Sequence, residues 1–232
     1  MKYYRELLSS NPLAIANVFL QVGSFRPLKE KGEKLEGKVA TPVENLMKEH
    51  GVLMRILGIY DKVVDDVASG KELNVSAINR TAEISRGYIG KHHDACEERY
   101  VFPKFREADY IVDIVTELHN QHVAAVMITD RMLALSSIDG DLDDSCQRTL
   151  INLCTAISRM YRPHMSWEQS IVFPVFYDIV TPDYIKKIQK EMEAEERKML
   201  GDTGFRGLVG RLSEIEKQAG TYDLHSYTPA IR

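Results

Sequence analysis

The 232-residue chain has little cysteine: Cys96, Cys146 and Cys154 are its whole complement, and no two of them form a C-x-x-C pair. That argues against a zinc knuckle or a thioredoxin-like centre. Cys146 and Cys154 fall on one predicted helix about two turns apart, too far for a disulfide. A sparse, odd set of thiols suits a reducing compartment, so the cytoplasm is the expected location, with export left open. Cys96 reads as a small buried side chain, with a redox role as the alternative. The chain also lacks any apolar run of membrane-spanning length. Its net charge is −4 and it has no Lys/Arg run, which argues against a nucleic-acid surface. No Ser-His-Asp arrangement, phosphate loop or dinucleotide fingerprint is evident, so ordinary hydrolase and dehydrogenase readings have no support.

What the chain does have is one motif written twice. HDACEERYVFPKF (His93 to Phe105) returns 71 residues later as HMSWEQSIVFPVF (His164 to Phe176), identical at six of thirteen positions. The His-x-x-x-Glu pair survives in both copies. Four residues is just over one helical turn, so His93 and Glu97 share a face, as do His164 and Glu168. The repeat extends upstream to His50 and His122, 72 residues apart, each leading into an apolar helical stretch. Each half-chain reads as a helix with one His, a loop, and a helix with His-x-x-x-Glu. Together they supply four imidazoles and two carboxylates, enough for two metal ions if the carboxylates bridge.

The predicted elements follow. Thr41, Pro42 and Glu44 open a first helix with a capping box, ending near Ser69-Gly70. A second helix runs from about Asn74 to Phe102, where Pro103 ends or kinks it. A third runs from about Asp109 to Ser136, and a fourth from about Asp144 to Phe173, closed by Pro174. Helices of this length with short loops predict an all-α protein with an antiparallel up-down four-helix bundle. Pro163, directly before His164, removes a backbone hydrogen bond inside the fourth helix; it is either a tolerated kink or one that aims His164. Further helices are expected over 182–200 and about 207–218, followed by an irregular tail. The expected organisation is an N-terminal docking segment and linker over 1–40, the bundle with its di-metal site over 41–178, and a helical extension and tail over 179–232. The apolar stretch Leu13 to Val22, broken by Asn17 and Gln21, reads as a docking helix rather than a secretory signal.

Other residues fall around this core. His119, three residues before His122, is a candidate fifth imidazole, and Asp94 a further possible ligand. His92 points about 100° away from His93 and is expected outside the site. Phe102, Trp167 and Phe173 form an expected apolar surround at the ligand turns, and Tyr100 and Tyr161 are candidate proton donors. Imidazole with carboxylate suits iron, manganese or zinc, and a bridging-carboxylate pair with several imidazoles most suggests two iron ions. The ferritin-like pattern is richer in Glu and uses Glu-x-x-His, which separates this chain from it.

These residues resemble the hemerythrin-like, HHE cation-binding proteins: EH at 49–50, HDACE…FP at 93–103, QH at 121–122 and HMSWE…FP at 164–174, across about residues 42 to 176. The resemblance implies a non-haem di-iron centre in a four-helix bundle. It makes His50, His93, His122 and His164 terminal ligands and Glu97 and Glu168 bridging carboxylates, with an oxo or hydroxo bridge completing the core. The chain departs from oxygen-carrying hemerythrins. Those have a second His four residues from the first on the third helix, where His119 is three away. Their fourth-helix carboxylate is an Asp five after the His, where Glu168 is four after. The expected function is therefore oxygen- or redox-responsive binding or sensing at a di-iron centre that meets O2 or another small diatomic ligand, with a redox partner the sequence does not identify. The alternatives are an enzyme acting on peroxide or nitric oxide and an iron-handling or storage protein.

Overall fold

A computed structural model of the protein describes residues 40–229. The docking helix and most of the linker expected over 1–40 lie outside the described residues. Every regular element among the described residues is helical. None of these helices is long and apolar enough to cross a membrane.

Helix α1 spans Pro42–Ala68. Its capping box forms as the sequence predicts: the Thr41 hydroxyl accepts from the Glu44 N–H, and the Glu44 carboxylate accepts from the Thr41 N–H at 2.7 Å. Helix α2 is one continuous helical rod over 75–107, begun by the Asn74 side chain accepting from the Ala77 N–H. Helix α3 spans Val112–Ser136. Helix α4 is a second continuous rod over 144–179, capped by Asp143 on the Cys146 N–H. Helices α5 (Pro182–Leu200) and α6 (Gly204–Ala219) follow.

Three boundaries differ from the sequence reading. Helix α3 starts at Val112 rather than near Asp109, because Asp109 and Ile111 take φ of 51° and 44° and break the right-handed helix. Pro103 and Pro174 do not end their helices. A proline ring collides with the carbonyl four residues back in a regular α-helix. Here the chain widens into π-helix immediately before each proline, over Glu97–Val101 and Glu168–Val172. The Phe102 N–H then donates to the Glu97 carbonyl, and the Phe173 N–H to the Glu168 carbonyl, each five residues back. The helix passes through both prolines. A further π-helix, Ser85–His93, leads into the first motif. Such turns are rare and concentrate at functional sites.

Contacts run from α1 to α2, α2 to α3, α3 to α4 and α4 back to α1, with α6 against α1 and α2, and α5 against α6 and α1. The buried apolar side chains form two clusters. One holds Leu53, Ile56, Ile78, Met132 and Ile157; the other holds Leu46, Val101, Phe105, Val115 and Phe176. In sequence, Glu49 and His50 fall between the two clusters on α1, His92 to Asp94 on α2, His122 on α3, and Glu168 on α4. Pro163 lies inside α4, which stays helical from Asp144 to Trp167. Pro163→Ala restores the missing N–H and is expected to raise unfolding stability by about 1 kcal/mol or more in a denaturant titration. A destabilised variant would show that the surroundings require the proline.

Candidate metal centre

His50, His93, Glu97, His122, His164 and Glu168 all come together, and none is more than 4% exposed. Six ionisable groups buried this deeply cost a great deal unless they are paired or bind cations. Their arrangement is specific. Glu97 turns Oε1 to His93 Nε2 at 3.6 Å and Oε2 to His122 Nε2 at 3.4 Å. Glu168 turns Oε2 to His50 Nε2 at 3.2 Å and Oε1 to His164 Nε2 at 3.1 Å. Each carboxylate thus gives one oxygen to the His50/His93 side and the other to the His122/His164 side. On the second side the two Nε2 atoms are 3.1 Å apart.

Two donors each ~2.1 Å from one ion, at angles between a right angle and the tetrahedral value, stand about 3.0–3.4 Å apart. Four of the five donor separations here fall in that range, and the His93–Glu97 pair, at 3.6 Å, lies just above it. His50 Nε2, His93 Nε2 and all four oxygens of Glu97 and Glu168 are buried without a hydrogen-bond partner among the described residues. Native proteins seldom leave so many buried polar atoms unsatisfied without an ion or a catalytic role. The residues fit a pair of cations, with Glu97 and Glu168 placed to span both.

The other ring nitrogen of each imidazole is held by a side chain. His93 Nδ1 lies 2.9 Å from Glu49 Oε2, His122 Nδ1 2.8 Å from Glu98 Oε1, and His164 Nδ1 2.8 Å from Gln121 Oε1. His50 Nδ1 lies 2.9 Å from the Gln169 amide nitrogen, and a half-turn of that amide presents its oxygen instead. An acceptor at Nδ1 fixes the proton there and leaves Nε2 free for a cation. Sequence reasoning missed all four partners, although each is adjacent in sequence to a cluster residue. The signal was in the repeat itself, as Glu or Gln before the His at 49 and 121, and Glu or Gln after the Glu at 98 and 169.

Charge in the cluster is balanced by protons. Burial and the neighbouring Glu168 carboxylate lift the Glu97 pKa to about 8. Burial acts the same way on Glu168, but His164 and His50 outweigh it and hold Glu168 below the usual carboxylate range. Burial opposes a charged His93, yet Glu97 and Glu49 together raise its pKa to about 10. A cation bound here would displace these protons.

The surround is partly as expected. Phe102 stacks on His122 at 5.5 Å between ring centroids, and Phe173 on His50 at 5.6 Å. Tyr161 meets the His164 ring edge-on and donates to Asp94 Oδ2 at 3.0 Å. Asp94 is buried, with Oδ1 3.8 Å from His122 Nε2. Three residues lie elsewhere. Trp167 is 38% exposed and lines a surface cavity with Pro163 and Gln121. The Tyr100 hydroxyl turns to Glu195 on α5. His119 is half-exposed and sits 3.0 Å from Glu98 Oε1, the same oxygen that holds His122. Its three-residue offset carries it to the rim, outside the six-residue cluster. His92 also lies outside the six, although it is buried.

No solved structure matches the chain. Uncharacterized proteins of Mycobacterium bovis and of two strains of Mycobacterium tuberculosis are each 36% identical over 190 residues, covering 82% of this chain and 74% of the relative. The model of the hemerythrin HHE cation-binding domain matches residues 41–176, the stretch that carries all six clustered side chains. On these likenesses the chain belongs to the hemerythrin HHE cation-binding family.

Proposed function

We propose that this is a non-haem di-iron protein whose centre meets O2 or another small diatomic ligand, and that it acts as an oxygen- or redox-responsive binding protein. The observation that carries this reading is the division of each carboxylate between two imidazole pairs. His50 and His93 would hold one ion and His122 and His164 the other, with Glu97 and Glu168 offering an oxygen to each side. Two iron ions held this way supply redox chemistry toward a small ligand. The chain does the rest. Glu49, Glu98, Gln121 and Gln169 fix the imidazole tautomers, while Phe102 and Phe173 cover two rings and exclude water.

The frame is an antiparallel up-down four-helix bundle over 41–178, with 179–232 as a covering extension. The order of the apolar clusters supports this. Along α1 and α3 the chain passes from the Leu46/Val115 cluster to the Ile56/Met132 cluster, and along α2 and α4 it passes back. One observation favours a second reading, an enzyme acting on peroxide or nitric oxide. The Tyr161–Asp94 pair places a buried proton donor beside His122 and His164.

Exposing the reduced protein to O2 and then to peroxide separates the two. A lasting spectral change with slow turnover supports binding. Sustained peroxide consumption that Tyr161→Phe abolishes overturns it in favour of the enzyme. The cluster's protons set a pH dependence. At neutral pH, His93 and Glu97 hold protons that a cation must release. Lowering the pH below about 8 favours the protonated form, so metal affinity is expected to fall at least about tenfold per pH unit, one proton displaced per tenfold. Competition against a chelator at several pH values measures this, and pH-independent affinity would contradict the assignment.

A further inference from the structure

Beside the six-residue cluster, in the seam between α2 and α5, lies a second group of metal-ligating side chains. His92, Cys96 and Glu195 each offer a ligand atom, and those atoms lie within 4.8 Å of one another. His92 and Cys96 are one helical turn apart on α2 and buried at 2% and 0% exposure. Glu195 reaches them from α5 and remains partly open to solvent. We propose that His92, Cys96 and Glu195 form a second metal site, distinct from the six-residue cluster, for a thiolate-preferring divalent cation of the zinc class, with solvent in the fourth position. The proposal does not depend on the di-iron reading.

Several features support it. Cys96 Sγ and His92 Nδ1 are 3.8 Å apart. Metal bonds of ~2.3 Å to sulfur and ~2.0 Å to nitrogen at the tetrahedral angle place those atoms about 3.5 Å apart, a few tenths of an ångström closer than they stand here. The other His92 nitrogen, Nε2, turns to Glu49 Oε1 at 3.6 Å. A ligating imidazole with its second nitrogen on a carboxylate is the usual outer arrangement of a zinc site. Glu49 therefore stands between two imidazoles, His92 of this site and His93 of the central cluster. Helix α5 is anchored here by further contacts, with Arg99 and Tyr100 donating to Glu195 and Tyr88 donating to Glu196. An ion shared by α2 and α5 fastens the C-terminal extension next to a group that orients the central cluster.

The test uses cobalt(II) as the probe on the full-length protein, with its central site filled as isolated and weakly held metal first removed by chelator. Difference spectra should show one additional cobalt per chain with a thiolate-to-cobalt charge-transfer band. The central cluster contains no cysteine, so that band reports only the second site, whatever metal the central cluster holds. Cys96→Ser should abolish the band, and Glu195→Gln should weaken cobalt binding at least about tenfold. Cys154→Ser, which alters an equally buried thiol, should leave the band intact. If Cys96→Ser fails to fold, the contrast between Glu195→Gln and Cys154→Ser decides. Absence of the band in the parent protein, its survival in Cys96→Ser, full-strength binding in Glu195→Gln, or its loss in Cys154→Ser would overturn the proposal.

Discussion

Glu97→Ala and Glu168→Ala are each expected to cut bound iron from about two ions per chain to less than one, while His119→Ala leaves loading unchanged. Each of these carboxylates faces two imidazole pairs, so removing one strips a donor from both ions at once. It also leaves the imidazoles crowded around a cavity without their counter-charge. His119 sits half-exposed on Glu98 and contributes no atom to the cluster. Element analysis of the three purified variants provides the comparison. A loaded Glu97→Ala together with an empty His119→Ala would reverse the assignment.

Glu49→Ala is the second large effect. It removes the acceptor at His93 Nδ1 and frees the ring to change tautomer, without touching a donor of the central pair. Burial raises the Glu49 pKa, but the neighbouring His92 and His93 imidazoles outweigh it and hold the pKa at about 2, so the group is ionised across the physiological range. Loss of such an outer partner typically costs a metal site about 10- to 100-fold in affinity. Chelator competition should show a drop of that order with helical content retained by circular dichroism. Unchanged affinity would mean that the Nδ1 contact does not set the ring.

The repeat made a large part of this legible. His93/Glu97 and His164/Glu168 stand one helical turn apart in a motif written twice, and that spacing alone put imidazole and carboxylate on one face. The helix start at Thr41 was readable from its capping box, and the starts near Asn74 and at 182 fell where expected, with the Asn74 and Thr181 side chains accepting from the first free N–H groups. Pro103 and Pro174 were misread as helix ends because a proline normally collides with the carbonyl four back. Helical spacing does not announce the π-turns that absorb the collision, one before each Val-Phe-Pro. Trp167 and Tyr100 were misplaced for a related reason: helical spacing alone could not say which face meets the cluster. Glu49, Glu98, Gln121 and Gln169 were visible in the repeat, but each holds an imidazole on a different helix, so adjacency in sequence hid their partners. The His92–Cys96–Glu195 group was least legible, since Glu195 lies 99 residues beyond Cys96 and has no counterpart in the repeat.

The central claim is that Glu97 and Glu168 join two iron ions held by His50, His93, His122 and His164. The direct measurement is metal content per chain in full-length protein produced with ample iron, together with its optical spectrum when reduced and then exposed to air. About two iron atoms per chain and a spectrum that changes on exposure are expected. A single zinc per chain, no iron and no spectral response to air would contradict that claim.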